Sequence, residues 1–139
     1  MGPGLTQPVD DLARRRLAVV RQHMEAENRK DFDAVIATFA HPRYELMPTG
    51  RVFDGEPAVR EYFTRSRSTF PDQRNENAVL RPAGDDGVIA EFDLLGTHVD
   101  SGKSFRSRMV ALFLFAEGDD RIVCERVYFD RKSIDDQVT

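Results

Sequence analysis

Histidine exchanges protons near neutrality more readily than any other side chain, and this chain has three, His23, His41 and His98. His98 ends the segment AEFDLLGTH, where alternate positions group it with Phe92, Leu94 and Gly96. In RIVCERVYFD, Glu125 alternates with Val123, Val127 and Phe129, and a carboxyl group among apolar neighbours is pushed toward its neutral form. A His–Glu pair facing one cavity can move protons, one partner as acid and the other as base, for roughly 10²–10⁴-fold in rate. That is enough to assist an enolisation or an intramolecular ring closure. His98 and Glu125 are therefore the candidate catalytic pair, and Tyr62 and His23 are candidate hydrogen-bond partners for a carbonyl oxygen. Each has a plainer alternative: a strand-end histidine beside a turn for His98, an ion pair with an arginine for Glu125, and simple packing for His23 and Tyr62. His41, before Pro42, reads as surface, and Tyr44 as core or pocket lining. The three histidines fall on different elements, so no metal site is expected. No glycine-rich phosphate loop and no cofactor are implied.

Composition bounds what such residues can act on. The chain has 139 residues, 40% hydrophobic and 32% charged, with a net charge of -4. That acidic balance argues against nucleic acid as a partner. One cysteine, Cys124, excludes an internal disulfide and suits a reducing cytoplasm. No apolar run reaches the roughly 20 residues of a membrane span, and MGPGLTQPVD lacks the pattern of a signal peptide. One domain over 10–137, after a flexible leader at 1–9, accounts for the length.

The elements that must position these residues can be read in order. Leu12, Ala13, Leu17, Val20 and Met24 recur at helical spacing and predict a helix from Asp10 to Asn28. Asp31 is placed to cap a second helix, with Phe32, Val35, Ile36 and Phe39 as its buried stripe and Pro42 as its end. RYELMPTGRVFDG predicts two short strands around Pro48–Gly50. Pro57 suits the first turn of a third helix that carries Val59, Tyr62 and Phe63 and stops by Pro71. From Asn75 the period becomes two, with strands expected near 75–82, 87–98, 104–116 and 121–130 between hairpin-type turns. Helices followed by an antiparallel meander make an α+β fold.

Four segments in this order, NRKDFDAVIATFA, FDGEPAVREYF, GTH followed by SGKSFRSRMVALFLF, and DRIVCERVYFD, resemble the nuclear transport factor 2-like superfamily and, within it, the SnoaL-like polyketide cyclases. The similarity covers about residues 14–137. It implies a cone: a curved antiparallel sheet packed against three N-terminal helices, enclosing a deep, mostly apolar pocket, often in a homodimer formed through the outer sheet face. Gly96 would then mark a bend or a close approach in the curved strand. Strand parity would line the pocket with Met47, Tyr62, Phe92, Leu94, His98, Met109, Ala111, Glu125 and Val127. At the positions where steroid-isomerase relatives carry a tyrosine, a base and a protonated aspartate, this chain has His23, Met47 and Ala111, two of which cannot ionise. The strand 104–116 also lacks the acid expected of the cyclases. The resemblance thus implies a small-molecule pocket protein, a cofactor-independent cyclase, isomerase or hydratase acting on a hydrophobic carbonyl compound. The alternatives are a non-catalytic ligand-binding or dimerisation module and an epoxide-hydrolase-like member, the last requiring a carboxylate–Arg–carboxylate cluster.

Overall fold

The computed structural model describes residues 10–139; the leader expected over 1–9 lies outside the described residues. Helix α1 (Asp11–Asn28) starts where Asp10 accepts a hydrogen bond from the Ala13 N–H at 2.8 Å, satisfying a donor that the first helical turn leaves free. Helix α2 (Phe32–Ala37) is capped in the same way by Asp31, as its sequence predicts. It ends before Pro42, because the Thr38 hydroxyl donates to the Val35 carbonyl and Phe39 leaves the helix to bridge to Ile122. Strands β1 (Arg43–Leu46) and β2 (Arg51–Asp54) form the short hairpin, and α3 (Glu56–Thr69) follows with Pro57 in its first turn.

The meander is β3 (Arg74–Ala83), β4 (Gly87–Thr97), β5 (Ser104–Phe115) and β6 (Ile122–Tyr128). The six strands form one sheet in the order β2-β1-β6-β5-β4-β3, antiparallel throughout except for β1 beside β6. This is the expected α+β architecture of a curved sheet with helices packed on it. Alternation along β5 is clean: Phe105, Ser107, Met109, Ala111, Phe113 and Phe115 are buried, while Arg106 and Arg108 face outward and pair with Asp93. Met109, Ala111, Phe113 and Phe115 meet Val20 and Met24 of α1, Val35 of α2 and Val59 and Phe63 of α3 in one core. Burying such a set of side chains at about 1.5–3 kcal/mol each is what holds helices to sheet.

A fourth helix, α4 (Arg131–Val138), was not foreseen. Asp130 caps this helix by accepting from Ser133 N–H at 3.1 Å. Among the described residues no helix is long and apolar enough to cross a membrane. Gly96 is required by a close approach: a Cβ there would lie 2.9 Å from Phe105 Cε1 and 3.3 Å from Phe70 Cβ.

Candidate functional site

Three elements build the site. On α1, His23 and Glu27 are one turn apart, so they lie above one another on the face turned to the sheet. In the sheet, Glu125 of β6 is paired with Tyr44 of β1 on one side and with Phe113 of β5 on the other. The imidazole of His23 is fully buried, edge-on to Phe39 and Phe113 at 5.4 and 5.2 Å between centroids.

The proton positions follow from the hydrogen bonds. Thr38 Oγ1 spends its single proton on the Val35 carbonyl at 2.6 Å, so at 2.9 Å from His23 Nδ1 it can only accept. Nδ1 therefore carries a hydrogen, and Nε2 is the atom turned to the acids. Around Nε2 stand Glu125 Oε1 at 2.9 Å, Tyr44 Oη at 3.1 Å and Glu27 Oε1 at 3.6 Å. Tyr44 O–H donates to Glu27 Oε2 at 3.2 Å. Glu125 Oε1 approaches from off the N–H axis, so this buried oxygen has no aligned hydrogen bond.

Electrostatics separate the three groups. Burial alone would push the His23 pKa down, but the Glu27 charge and the contacts with both carboxylates raise it to about 10, leaving an imidazolium at neutral pH. Burial would raise Glu27, yet the His23 charge, helped by Arg67 and the Tyr44 hydroxyl, brings it below the usual carboxylate range. For Glu125, burial together with the Glu27 charge outweighs the attraction of His23, so its carboxyl is pushed up toward the protonated form. Burial likewise pushes the phenols of Tyr44 and Tyr62 well up, so both stay protonated donors.

Both carboxylates line a cavity of about 50 Å³ together with Tyr44, Tyr62, Arg67 and Gln73. Of the residues expected there, Tyr62, Phe92, Leu94, Met109, Glu125 and Val127 line it. His23 sits behind its wall, and Ala111 is buried in the core. Met47 is a correction: it follows β1 in the turn and is 42% exposed. His98 is another, because the structure does not bring it to Glu125. The strand ends at Thr97, the His98 N–H bonds the Lys103 carbonyl, and the ring accepts from Ser101 N–H at 3.1 Å, tying the β4–β5 turn. Sequence reasoning missed Glu27, Arg67, Gln73 and the role of Tyr44. The four-residue spacing of His23 and Glu27 was the available signal.

The same cluster could hold a small cation. His23, Glu27 and Glu125 offer ligand atoms all within 4.8 Å of one another, a grouping not visible from the histidines alone. The Nδ1–H held by Thr38 would orient the imidazole for this, as outer partners of metal-bound histidines do.

Residues 20–125 match the model of the SnoaL-like domain. Among solved structures, the chain is similar to a candidate polyketide cyclase from Xanthomonas campestris pv. campestris, with a TM-score of 0.81 and 22% identity over 91% of this chain and 98% of that one. A candidate polyketide cyclase from Pseudomonas putida gives a TM-score of 0.80 at 16% identity, covering 89% of this chain and 98% of the other. A protein with a ketosteroid isomerase-like fold from Catenulispora acidiphila, solved with trimethylamine, gives 0.76 at 19% identity, covering 86% and 91%. At such identities these likenesses establish the fold alone. None of the curated proteins matches the chain in sequence. The match of the domain model over most of the chain, on this curved sheet and its helices, makes the protein a member of the SnoaL-like domain family.

Proposed function

We propose that this protein is a cofactor-independent acid–base enzyme of the cyclase, isomerase or hydratase kind, acting on a small carbonyl compound. The observation that carries this reading is two carboxyl groups lining one cavity, with environments that drive their pKa values apart and one imidazolium between them. Such a separation assigns the acid and the base. Glu27, ionised at rest, accepts a proton from the carbon beside the carbonyl. Glu125 gives its proton to the carbonyl oxygen, producing the enol. His23 then turns to pass its Nε2 proton to Glu125, 2.9 Å away, and is recharged from Glu27 through the Tyr44 hydroxyl, which lies 3.1 Å from Nε2 and 3.2 Å from Glu27 Oε2; this restores both groups.

This reading keeps Glu125 as the acid and replaces the expected base His98 with Glu27, His23 serving as the relay. A single cysteine, Cys124, supports a reducing compartment, the cytoplasm. A homodimer through the outer sheet face stays part of the proposal, supported by Tyr128 at 42% and Val79 at 40% exposure.

The test is hydrogen–deuterium exchange beside the ketone of levulinate in D₂O, followed by proton NMR. The protein should accelerate exchange, and Glu125→Gln should cut the acceleration by roughly 10²-fold or more. Exchange at the buffer rate with the parent protein would sink the acid–base reading and leave a non-catalytic binding module. A second reading, epoxide hydrolysis, is favoured by Glu27, Arg67 and Glu125 lining one cavity, although neither carboxylate is within ion-pair distance of Arg67. Conversion of styrene oxide to its diol would support it.

A further inference from the structure

The lining of the cavity also carries donors that the protein leaves unused. Arg67 is clamped in place: its guanidinium carbon lies 5.2 Å from the Phe32 ring centre and 5.8 Å from that of Phe63, and Nη1 donates to Ser66 Oγ at 2.8 Å. Its Nε–H is buried and bonds to nothing, and no described carboxylate lies within ion-pair distance of it. Tyr62 is fixed by stacking on Phe53, with 4.7 Å between centroids, and its hydroxyl has no hydrogen-bond partner among the described residues. The Gln73 side chain is in the same condition, while its backbone N–H is held by the Phe70 carbonyl.

Neighbouring polar groups are spent. Asn75 Nδ2 donates to the Met24 carbonyl at 3.1 Å, and Arg74 pairs with Glu76 at 3.0 Å. Burying the Arg67 Nε–H without an internal acceptor costs free energy that an acceptor-rich ligand would recover. A carboxylate is such a ligand: it offers two oxygens and about four lone pairs, and it pairs with arginine in a charge-assisted contact. Charge points the same way: no described carboxylate lies within ion-pair distance of Arg67, so its positive charge is open to an anion.

We infer that the substrate is a short oxo acid, its carboxylate held at the cavity mouth by Arg67, Tyr62 and Gln73 and its carbonyl turned to Glu125. The inference rests on the acid–base reading above and names the substrate class for it. Phe92, Leu94, Met109 and Val127 supply the apolar wall for the carbon chain. The size agrees: a cavity of about 50 Å³ suits a chain of a few carbons. Tyr62 and Gln73 also line the adjoining groove between α3 and α4, of about 280 Å³, which gives the carboxylate end a path in.

The experiment is calorimetric titration of the full chain with levulinate, levulinamide, pyruvate and pyruvamide, so that each acid is compared with a neutral molecule of its own shape. At least one acid should bind about tenfold or more tightly than its amide, the scale of one charged hydrogen bond. Arg67→Met keeps an apolar stem against Phe32 and Phe63, and it should reduce that preference to less than about threefold. Gln73→Leu, at the mouth, should lower it by severalfold and serves if Arg67→Met fails to fold. Equal binding of acid and amide, no binding of either acid at about 10 mM, or a preference that survives Arg67→Met would overturn the inference. Deuterium exchange on the same samples separates the two proposals. Exchange without a preference for the acid overturns the oxo-acid assignment alone, and preference without exchange overturns the acid–base reading.

Discussion

Raising the pH removes the positive charge that holds the buried site together, and the loss can be computed. His23 moves from an ordinary value of 6.5 to about 10 on folding. Because the folded value is the higher one, the stabilisation is complete below about pH 6.5 and declines progressively until about pH 10. Each pH unit inside that window removes about 1.36 kcal/mol, so going from pH 7 to 10 removes about 4 kcal/mol. For a domain of this size that is a large part of the total stability. Urea unfolding at pH 7, 8, 9 and 10, at fixed ionic strength, measures it. Unfolding exposes tyrosines and Cys124, whose ordinary values lie near the upper end, so the parent is compared with His23→Gln, in which those groups remain. The parent should lose about 4 kcal/mol more than the variant across the window. Should His23→Gln not fold, Glu27→Gln removes the main charge that raises His23 and should flatten the curve in the same sense. Parallel curves for parent and variants would refute the imidazolium and the relay built on it.

Gly96→Ala should cost about 1–3 kcal/mol by forcing the Phe105 ring away from a Cβ that would sit 2.9 Å from it, read as a lower urea midpoint at unchanged slope. His98→Ala should leave deuterium exchange within about twofold of the parent and lower stability by about 1 kcal/mol, the cost of one turn hydrogen bond; a hundredfold loss of exchange would return His98 to the catalytic role its sequence context suggested. Dialysis against EDTA should change neither melting nor exchange. A loss restored by Zn²⁺ would put a cation among His23, Glu27 and Glu125 in place of the proton network.

Much of the meander could be read because period-two alternation and hairpin turns are local signals. Parity placed Phe92, Leu94, Met109, Glu125 and Val127 on the inner face, where they line the cavity. It failed at His98 for a definite reason: alternation holds only while the strand continues, and the chain turns after Thr97. Met47 failed similarly, just beyond the end of β1. Glu27 was legible four residues after His23 on the same helix, as a histidine–carboxylate pair at one-turn spacing. The contact of Tyr44 with Glu125 was not legible, because it depends on parallel pairing of strands about 80 residues apart, for which no local pattern exists. Arg67 reads as one of several arginines on a solvated helix face until Phe32 and Phe63 are seen beneath it. α4 was too short to show a helical period against the strand before it.

The parallel pairing of β1 with β6 also bears on how the chain reaches its native state. The meander can zip up from sequential hairpins, each closing a short loop, whereas β1 cannot dock until β6 exists and most of the chain has been fixed. That docking step brings Tyr44 alongside Glu125, so the pocket is expected to form with the slowest event and not with the first collapse. Stopped-flow refolding followed through tyrosine fluorescence would place the rise of the Tyr44 environment in the final phase, and the same change in a fast phase would contradict it. A chain stalled before that step would hold most of its sheet and still be inert, because the groups that move protons would not yet have met.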